Sequence, residues 1–376
     1  MPEIVLDNLY KKYKCNQAAD GLSLKVNDGE YLCILGPTGS GKTTCLRMIC
    51  GLTKPDKGKV SFDGVDVTNK PVSERKATML SQVYSLFPPK TVYENVMFSP
   101  EIQEWSKDDA KQLVKSMIKL VHMEKKVDSY PLELSGGQQQ RTALARALAS
   151  NSDVLLLDEP LRALDARLRL ELRQDLKSLV KEMGLTAIHV THDQDEALEM
   201  ADRIAIIRKG KIIQVGTPIE VFRHPKTPFV ANFVGRSNIF FGKIQSVSEA
   251  FSEIKMHNGT IIKARRTDIP IGKDVAVAIK IGSTRIPVMH RPTEDKPDPD
   301  VPQGFFVGKV ERILYEGATI TVEVAAEDIG LISSKLPNRK YDDYAVGEEV
   351  MVSWLPELAS VFEVPPEGLD EELRLH

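Results

Sequence analysis

The pattern of apolar and polar positions changes once along the chain, near residue 236. Before that point, short β-branched or leucine-rich runs alternate with longer segments of helical periodicity. This alternation predicts a mostly parallel sheet covered by helices. Beyond it the helical periodicity stops, and short strands separated by turn signals follow. We therefore predict an α/β domain over residues 1–235 and an all-β domain over residues 236–376.

Two parts of the α/β domain are predicted to be helical. Residues from about 88 to 150 contain no convincing strand and start a helix pattern at Ser106, so we interpret them as a helical subdomain. Residues 161–183 carry leucines and a valine at every fourth position, with charged residues between them. That spacing predicts a helix with one buried stripe.

The all-β domain shows one turn signal and one internal echo. Asn258 and Gly259 separate two strand-like runs and predict a hairpin. Residues 240–244 are echoed by 305–310, which indicates two small barrel-like units, although chance echoes are common in β sequences. Between the echoes, interleaved prolines and acidic residues over 292–302 predict an extended, solvated connector.

Residues 36–43 have the pattern of a phosphate-binding loop. They read Gly-Pro-Thr-Gly-Ser-Gly-Lys-Thr, which fits G-x-x-x-x-G-K-[ST], and they follow an apolar strand and precede a helix pattern. In such a loop, backbone N–H groups converge on phosphate at a helix N-terminus. Lys42 then reaches the β- and γ-phosphate oxygens, and the Thr43 hydroxyl ligates Mg²⁺. The alternative is a chance glycine-rich turn, which the strand and helix context disfavours.

Acidic residues and a histidine follow two further predicted strands. Asp158 and Glu159 come directly after the apolar run 154–157, at the edge where open parallel sheets bind ligands. This placement predicts Asp158 as a Mg²⁺ ligand and Glu159 as the base for an attacking water, with a solvated acidic pair as the alternative. A third strand, 186–191, ends at His192, which by itself carries little weight.

Residues 134–141, Leu-Ser-Gly-Gly-Gln-Gln-Gln-Arg, predict a second anion site. Ser135 and Gln138 are spaced as a helix-capping box. Gly136 and Gly137 leave room for a phosphate to approach the start of that helix. The chain has only one phosphate loop, so a second site at a helix start calls for a separate explanation.

Together these motifs are similar to those of the ATP-binding-cassette (ABC) ATPase family. The phosphate loop, Gln82, the Leu-Ser-Gly-Gly-Gln signature, the strand before Asp158-Glu159, the Ala-Leu-Asp at 163–165 and His192 stand in that family's order and spacing. The resemblance implies a P-loop NTPase cassette that binds and hydrolyses ATP with Mg²⁺. It also implies a head-to-tail homodimer, in which the signature helix of one subunit closes over the ATP held by the other.

The resemblance also assigns roles to residues. Those implied in catalysis are Glu159, His192 and Gln82, and those implied to bind Mg²⁺ are Thr43, Gln82 and Asp158. Tyr13 is similar to the aromatic residue that stacks on adenine, although Tyr10 competes for that role and a core tyrosine is the plainer alternative. The residues implied in nucleotide binding are Tyr13, Gly36, Pro37, Thr38, Gly39, Ser40, Gly41, Lys42, Thr43, Thr44, Ser135, Gly136, Gly137, Gln138 and Asp165.

Over essentially its whole length the chain resembles importer ATPases of the maltose and spermidine-putrescine type. The second part of such proteins is a regulatory domain of paired small β-barrels, OB-like or TOBE-like. Residues 229–238 are similar to the junction in polyamine, iron and related importers, as are residues 308–318. Implied partners are two transmembrane permease subunits and, indirectly, an extracytoplasmic solute-binding protein. The implied location is peripheral, at the cytoplasmic face of the cell membrane. The solute stays open among polyamine, iron or another small ion, and sugar.

Composition limits the partners further. Fifty Lys and Arg against 53 Asp and Glu give a net charge of −3, so no nucleic acid partner is expected. The alternative function is a non-transport ABC ATPase that acts on nucleic acid or protein complexes. Apolar runs stay well short of the roughly 18 residues of a membrane span, and the first residues lack a secretory pattern, which predicts a cytosolic chain. The four cysteines are expected to be reduced and mostly buried.

Two positions depart from the resembling sequences. Residues 278–282 read Ala-Ile-Lys-Ile-Gly where Arg-Pro-Glu is usual, which disfavours a role in sugar regulation. Arg162 stands where a Ser or Asn usually precedes the Ala-Leu-Asp. Because that loop crosses the dimer interface in the resembling proteins, we expect Arg162 to pair with a carboxylate or phosphate of the other subunit. An arginine exposed to water is the alternative.

Overall fold

The computed structural model describes residues 2–14, 16–286, 305–327, 329–366 and 368–374. Contacts divide the chain into two compact units, Met1–Pro218 and Ile219–Leu375. The first unit ends before the change of pattern near residue 236. Among the described residues, no helix combines the length and the apolar character needed to cross a bilayer.

The first unit contains a parallel sheet and an antiparallel sheet. Its strands are β1 (Ile4–Tyr13), β2 (Asn16–Val26), β3 (Tyr31–Leu35), β4 (Lys57–Phe62), β5 (Val65–Asp66), β6 (Ala77–Leu80), β7 (Val154–Asp158), β8 (Thr186–Thr191), β9 (Arg203–Arg208) and β10 (Lys211–Gly216). The antiparallel sheet has the order β2-β1-β4-β5. The other sheet has the order β10-β9-β3-β8-β7-β6, parallel except for β10. Every residue of β3, β7 and β8 is buried, as expected for strands covered on both faces.

Six α-helices are described in the first unit. They are α1 (Lys42–Cys50), α2 (Val92–Ile102), α3 (Lys107–Leu120), α4 (Gly136–Leu148), α5 (Ala166–Glu182) and α6 (Gln194–Met200). The apolar residues of α1 share one core with both sheets. Helices α2, α3 and α4 lie within 88–150 and pack against one another, and no strand is described in that segment.

Helix α5 begins later than the pattern over 161–183 predicts. The Asp165 side chain accepts a hydrogen bond from the Leu168 N–H at 3.0 Å and caps the helix, which starts at Ala166. Leu161 and Leu164 are buried in the preceding loop instead of on the helix. The predicted stripe is correct further along, where Leu172, Leu176 and Val180 are buried at every fourth position.

The second unit is built from antiparallel strands. They are β11 (Ser237–Val247), β12 (Phe251–Met256), β13 (Ile261–Arg265), β14 (Asp274–Lys280), β15 (Phe305–Tyr315), β16 (Thr319–Ala326), β17 (Gly330–Pro337), β18 (Glu349–Ser353) and β19 (Ala359–Glu363). The helices after Thr217 are α7 (Pro218–Arg223), α8 (Pro228–Phe233) and α9 (Leu369–Leu373). The predicted hairpin at Asn258-Gly259 is confirmed, because β12 and β13 pair on either side of it.

The sequence echo corresponds to two sheets that share one order over four strands, to which the first sheet adds β19 at its edge. One sheet has the order β13-β12-β11-β14-β19 and the other β17-β16-β15-β18, so β11 and β15 hold equivalent places. A Cβ on Gly242 would lie 2.6 Å from the Lys255 carbonyl oxygen, and one on Gly308 would lie 2.4 Å from that of Ala325. Glycine is therefore needed at equivalent positions of β11 and β15. The predicted connector over 292–302 lies outside the described residues.

The cysteine prediction agrees with the part of the chain that is described. Cys33, Cys45 and Cys50 are free thiols and are buried, and burial raises the pKa of Cys45 to about 12. These are the properties of structural cysteines rather than reactive ones. Cys15 lies outside the described residues.

Lys280, in the segment 278–282, is half-buried. Its Nζ donates to the carbonyl of Val234, beyond the end of α8, and lies 4.3 Å from the centre of the Phe222 ring. Burial lowers the pKa of Lys280 to about 8. In the unfolded chain the pKa of this lysine is near 10.4. Between the two pKa values the unfolded chain therefore binds more protons at this site than the folded chain does, so the free energy of unfolding rises with pH in that range.

We expect this rise to disappear when Lys280 is replaced by Met. Relative to Lys280→Met, the wild-type chain should gain about 1–2 kcal/mol between pH 7.5 and pH 9.5, a figure reduced for the partial exposure of the group. Urea unfolding at the two pH values measures the difference, with Lys255→Met, an exposed site on β12, as the control. Identical pH dependence of the wild-type and Lys280→Met chains would contradict the prediction.

Candidate functional site

The loop between β3 and α1 is shaped by two glycines. A Cβ on Gly36 would lie 2.2 Å from the Ile207 carbonyl oxygen. Gly41 has φ 106, and a Cβ there would lie 2.1 Å from the Ala18 carbonyl oxygen. No other residue type fits either position without moving the backbone. The pattern 36–43 therefore specifies the shape of this loop as well as its chemistry.

The end of this loop has the unpaired donors that an oxyanion requires. Gly41 is the residue before α1, and no side chain caps the helix there. The first N–H groups of a helix have no partner within it. The Ser40 hydroxyl is buried and has no hydrogen-bond partner among the described residues. A phosphate group fits this set of donors.

Lys42 is held inside the same loop. Its Nζ donates to the carbonyl oxygens of Gly36 and Pro37, each at 2.8 Å. Burial lowers the pKa of Lys42, and the nearby carboxylates of Glu159 and Asp158 offset this only in part. The buried ammonium thus lies across the turn where the loop would hold a phosphate.

Asp158 and Thr43 bring two oxygen donors together beside the loop. Asp158 is the last residue of β7 and is buried, and the Thr43 hydroxyl donates to its Oδ1 at 3.2 Å. Burial raises the pKa of Asp158, and the hydrogen bond from Thr43 acts against that shift. A carboxylate and a hydroxyl are hard oxygen ligands of the kind Mg²⁺ prefers. The two side chains therefore suit a magnesium ion next to the phosphate loop.

Glu159 collects three donors from separate segments. Its Oε2 accepts hydrogen bonds from Gln82 Nε2 at 3.2 Å and from Arg162 Nη1 at 2.7 Å, and its Oε1 lies 3.1 Å from His192 Nδ1. Its backbone is in the left-handed region, with φ 52, where non-glycine residues are uncommon. Burial raises the pKa of Glu159, but the hydrogen bonds and positive charges of Arg162 and His192 outweigh it and leave the pKa lowered.

Arg162 has a partner within its own chain that the sequence does not predict. Its guanidinium forms an ion pair with Glu159 while the Arg162 side chain stays 57% exposed, and the pairing expected with another subunit stays a prediction. The reason is local, because the backbone turns back after Glu159 and the Arg162 N–H lies 3.4 Å from the Glu159 carbonyl oxygen. A sequence gives no sign of this pairing, since two residues three apart in a loop have no fixed relative direction.

Most of these groups line one cleft of about 350 Å³, although Gly36, Ser40 and Asp158 are not among its lining residues. Tyr13 lies in its wall with 43% of the residue exposed, so the alternative of a buried core tyrosine is wrong. Tyr10 is not among the lining residues. The predicted residues in the wall are Tyr13, Thr38, Gly39, Gly41, Lys42, Thr43, Thr44, Gln82, Glu159 and His192, and those not predicted are Asn16, Ala18 and Arg162. Asn16 and Ala18 belong to β2 and carry no motif.

The signature residues do not line this cleft. Ser135 and Gln138 form the predicted capping box at the start of α4, with the Gln138 Oε1 accepting from the Ser135 N–H at 2.9 Å. A Cβ on Gly136 would meet nothing within 4 Å, so the helix start is open. Asp165 caps α5 instead of reaching the nucleotide cleft. Within one chain, the signature and the phosphate loop thus form separate sites.

Gln140 connects the signature helix to the Glu159 turn, and no sequence pattern indicated it. Its Nε2 donates to the Glu159 carbonyl oxygen at 2.9 Å, and its Oε1 accepts from the Ala163 N–H at 2.8 Å. The side chain is buried. A buried glutamine that satisfies two backbone groups holds α4 and the loop 159–163 in one arrangement.

Known proteins match both parts of the chain. The ABC transporter family model matches residues 19–162, and the TOBE domain model matches residues 288–362. The spermidine/putrescine import ATP-binding protein PotA of Haemophilus influenzae is 37% identical over 94% of each chain. Proteins of the same name are 40% identical in Trichormus variabilis, over 85% of this chain and 82% of the other, and 38% identical in Thermobifida fusca, over 95% and 92%.

Solved structures match the cassette. The dimeric bacterial ABC transporter cassette MJ0796 aligns with a TM-score of 0.53 and 33% identity, covering 57% of this chain and 98% of that one. A dimeric structure of the same cassette bound to ADP and Pi aligns with the same values.

The fold and the cleft define a P-loop ATPase of the cassette class. The chain belongs to the ABC transporter family, as an importer's ATP-binding and ATP-hydrolysing subunit with a TOBE domain. The predicted family, fold class and importer function, with ATP as ligand, are thereby confirmed. The relatives named above are all import proteins, so the non-transport alternative gains no support from them.

Proposed function

We propose that this chain is the ATPase subunit of a polyamine importer. The observation that carries the proposal is the convergence of Lys42, Thr43 and Glu159 on one cleft, in a chain similar over 94% of its length to a spermidine/putrescine import protein. Asp158 accepts a hydrogen bond from Thr43 beside that cleft. Residues 1–235 would perform the ATP chemistry, with the helical subdomain at 88–150. Residues 236–376 would form the regulatory β domain.

The phosphate loop would bind the triphosphate of ATP. Backbone N–H groups at the start of α1 and the Ser40 hydroxyl would donate to phosphate oxygens, and Tyr13 would stack on the adenine. The Lys42 ammonium would exchange its two carbonyl acceptors for the β- and γ-phosphate oxygens. The remaining loop contacts would come from Gly36, Pro37, Thr38, Gly39, Gly41 and Thr44.

Thr43, Asp158 and Gln82 would hold Mg²⁺. When bound, this ion neutralises part of the phosphate charge. Thr43 and Asp158 already lie within hydrogen-bond distance of each other. The Gln82 Nε2 donates to Glu159 Oε2 at 3.2 Å, so Gln82 lies beside the proposed base.

Glu159 would accept the proton of the attacking water. The carboxylate lies at the edge of the parallel sheet, and His192 orients it from Oε1. Glu159 is ionised at neutral pH, as a general base must be, because its pKa is lowered from a value that already lies below neutrality.

The signature would act on a second copy of the chain. Ser135, Gly136, Gly137 and Gln138 form a helix start outside the chain's own cleft that is open at Gly136, as a head-to-tail homodimer requires. Asp165, which caps α5, would join the same interface. The related cassette MJ0796 is itself dimeric in its solved structure, which supports such an arrangement.

Closure of this dimer would drive transport through two transmembrane permease subunits. The chain would lie peripherally at the cytoplasmic face of the cell membrane, and an extracytoplasmic solute-binding protein would deliver the polyamine. A net charge of −3 offers no general attraction to nucleic acid, so none is proposed as a partner.

Uptake by cells tests the solute. In cells that lack the gene for this chain, we expect the wild-type gene to restore saturable uptake of labelled spermidine or putrescine and the Lys42→Ala gene to restore none. Labelled ferric iron and maltose serve as controls and should be unaffected. Restoration of iron or maltose uptake in place of polyamine uptake would refute the solute while leaving the importer function intact.

A further inference from the structure

Arg162 lies at the mouth of the nucleotide cleft and touches the proposed base. Its Nη1 is 2.7 Å from Glu159 Oε2, and the guanidinium also lines the cleft. The Arg162 side chain is 57% exposed, whereas that of Glu159 is 13% exposed. A water-accessible cation therefore holds a largely buried carboxylate.

The hydrogen bonds to Glu159 occupy three of its roughly four acceptor positions. Each carboxylate oxygen can accept about two hydrogen bonds. Oε2 already accepts from Arg162 and Gln82, and Oε1 is paired with His192. Of the other charged groups nearby, Lys42 and the adjacent Asp158 interact with this carboxylate through charge alone, and no hydrogen bond is described between either of them and Glu159. Arg162 thus occupies one of the two acceptor positions on Oε2.

We infer that Arg162 is a positioning residue that holds the Glu159 carboxylate away from the attacking water and so restrains ATP hydrolysis. This inference rests on the role proposed for Glu159. The ion pair can break readily, because an exposed ion pair changes a rate by no more than about tenfold and usually by less. Arg162 restrains the reaction and does not block it.

Steady-state ATP hydrolysis by the isolated chain tests the inference. In Arg162→Ser and in Arg162→Gln, we expect kcat to rise about two- to fivefold at low salt while KM for ATP changes less than twofold. Arg162→Lys keeps a cation beside Oε2 and should stay near wild type. Arg167→Ser is the matched control, because it removes the same charge from a side chain that is 90% exposed on α5, outside the cleft.

The dependence of kcat on ionic strength is a second measurement, and a merely structural role for Arg162 would leave it unchanged. Raising the ionic strength screens an exposed ion pair, so wild-type kcat should rise toward that of Arg162→Ser, which itself should not respond in the same way. Unchanged or lower kcat in both the Ser and Gln variants overturns the inference.

The parallel Glu159→Gln variant separates this inference from the proposed function. If Glu159→Gln is inactive and the Arg162 variants match wild type, only the role of Arg162 is wrong. If Glu159→Gln hydrolyses ATP at the wild-type rate, the role of Glu159 is wrong and this inference falls with it.

Discussion

Replacing Glu159 with Gln will leave ATP binding in place and slow hydrolysis by about 10²- to 10⁴-fold, the usual effect of removing a positioned base. The amide has nearly the shape of the carboxylate, but it does not take up the proton of the attacking water. Because bound ATP is then not consumed, the closed dimer should become long-lived. Steady-state phosphate release and gel filtration with Mg-ATP measure the two effects.

Glu182→Gln is the matched control for this substitution. It makes the same chemical change at an exposed position near the end of α5 and should leave both measurements unchanged. ATP hydrolysis by Glu159→Gln at the wild-type rate would remove Glu159 from the role of base. A Glu159→Gln chain that stays monomeric with Mg-ATP would contradict the dimer part of the proposal.

Replacing Lys42 with Ala will act one step earlier, on nucleotide affinity itself. Charge-assisted hydrogen bonds contribute about 1.5–3 kcal/mol each, so losing the ammonium should weaken ATP binding by about 10- to 100-fold or more. Hydrolysis at fixed ATP should fall further, because the same charge faces the transferred phosphate. Displacement of a fluorescent ATP analogue measures the affinity.

Two further variants separate charge from packing. Lys42 also donates to Gly36 and Pro37, so alanine loosens the loop as well as removing charge. Lys42→Met keeps the length and apolar stem of the side chain and should lose affinity to a similar extent. Lys59→Ala, at an exposed position of β4, should bind as wild type. Full affinity in Lys42→Met would show that the loop binds nucleotide without this ammonium.

Features that depend on neighbouring residues could be predicted from the sequence. The phosphate loop, the capping box at Ser135 and Gln138, and the hairpin at Asn258-Gly259 all lie where the pattern predicts them. Each is formed by interactions within a few residues, and such interactions are specified by residue type and spacing. The helix predicted over 161–183 shows the limit of such predictions. The spacing of its leucines extends into the loop before α5, but the helix begins only after Asp165, whose side chain caps it.

The convergence of Gln82, Glu159 and His192 depends on strand order. Gln82 and Glu159 are 77 positions apart in the sequence, and Glu159 and His192 are 33 apart. They meet because β6, β7 and β8 are adjacent parallel strands whose carboxyl ends share one edge. Residue spacing does not reveal that order, and these residues were linked beforehand only through the family resemblance.

By itself, the sequence determined the class of protein, the chemistry of the phosphate loop and the change from an α/β to a β-rich part. Tertiary structure alone decided which side chains surround Glu159. It joined Gln140 to the Glu159 turn and folded Arg162 back onto the carboxylate of its own chain. The physical reason is that local pattern sets backbone conformation, whereas the partners of a charged or buried polar side chain depend on which distant segments the packed core brings within about 3 Å of it.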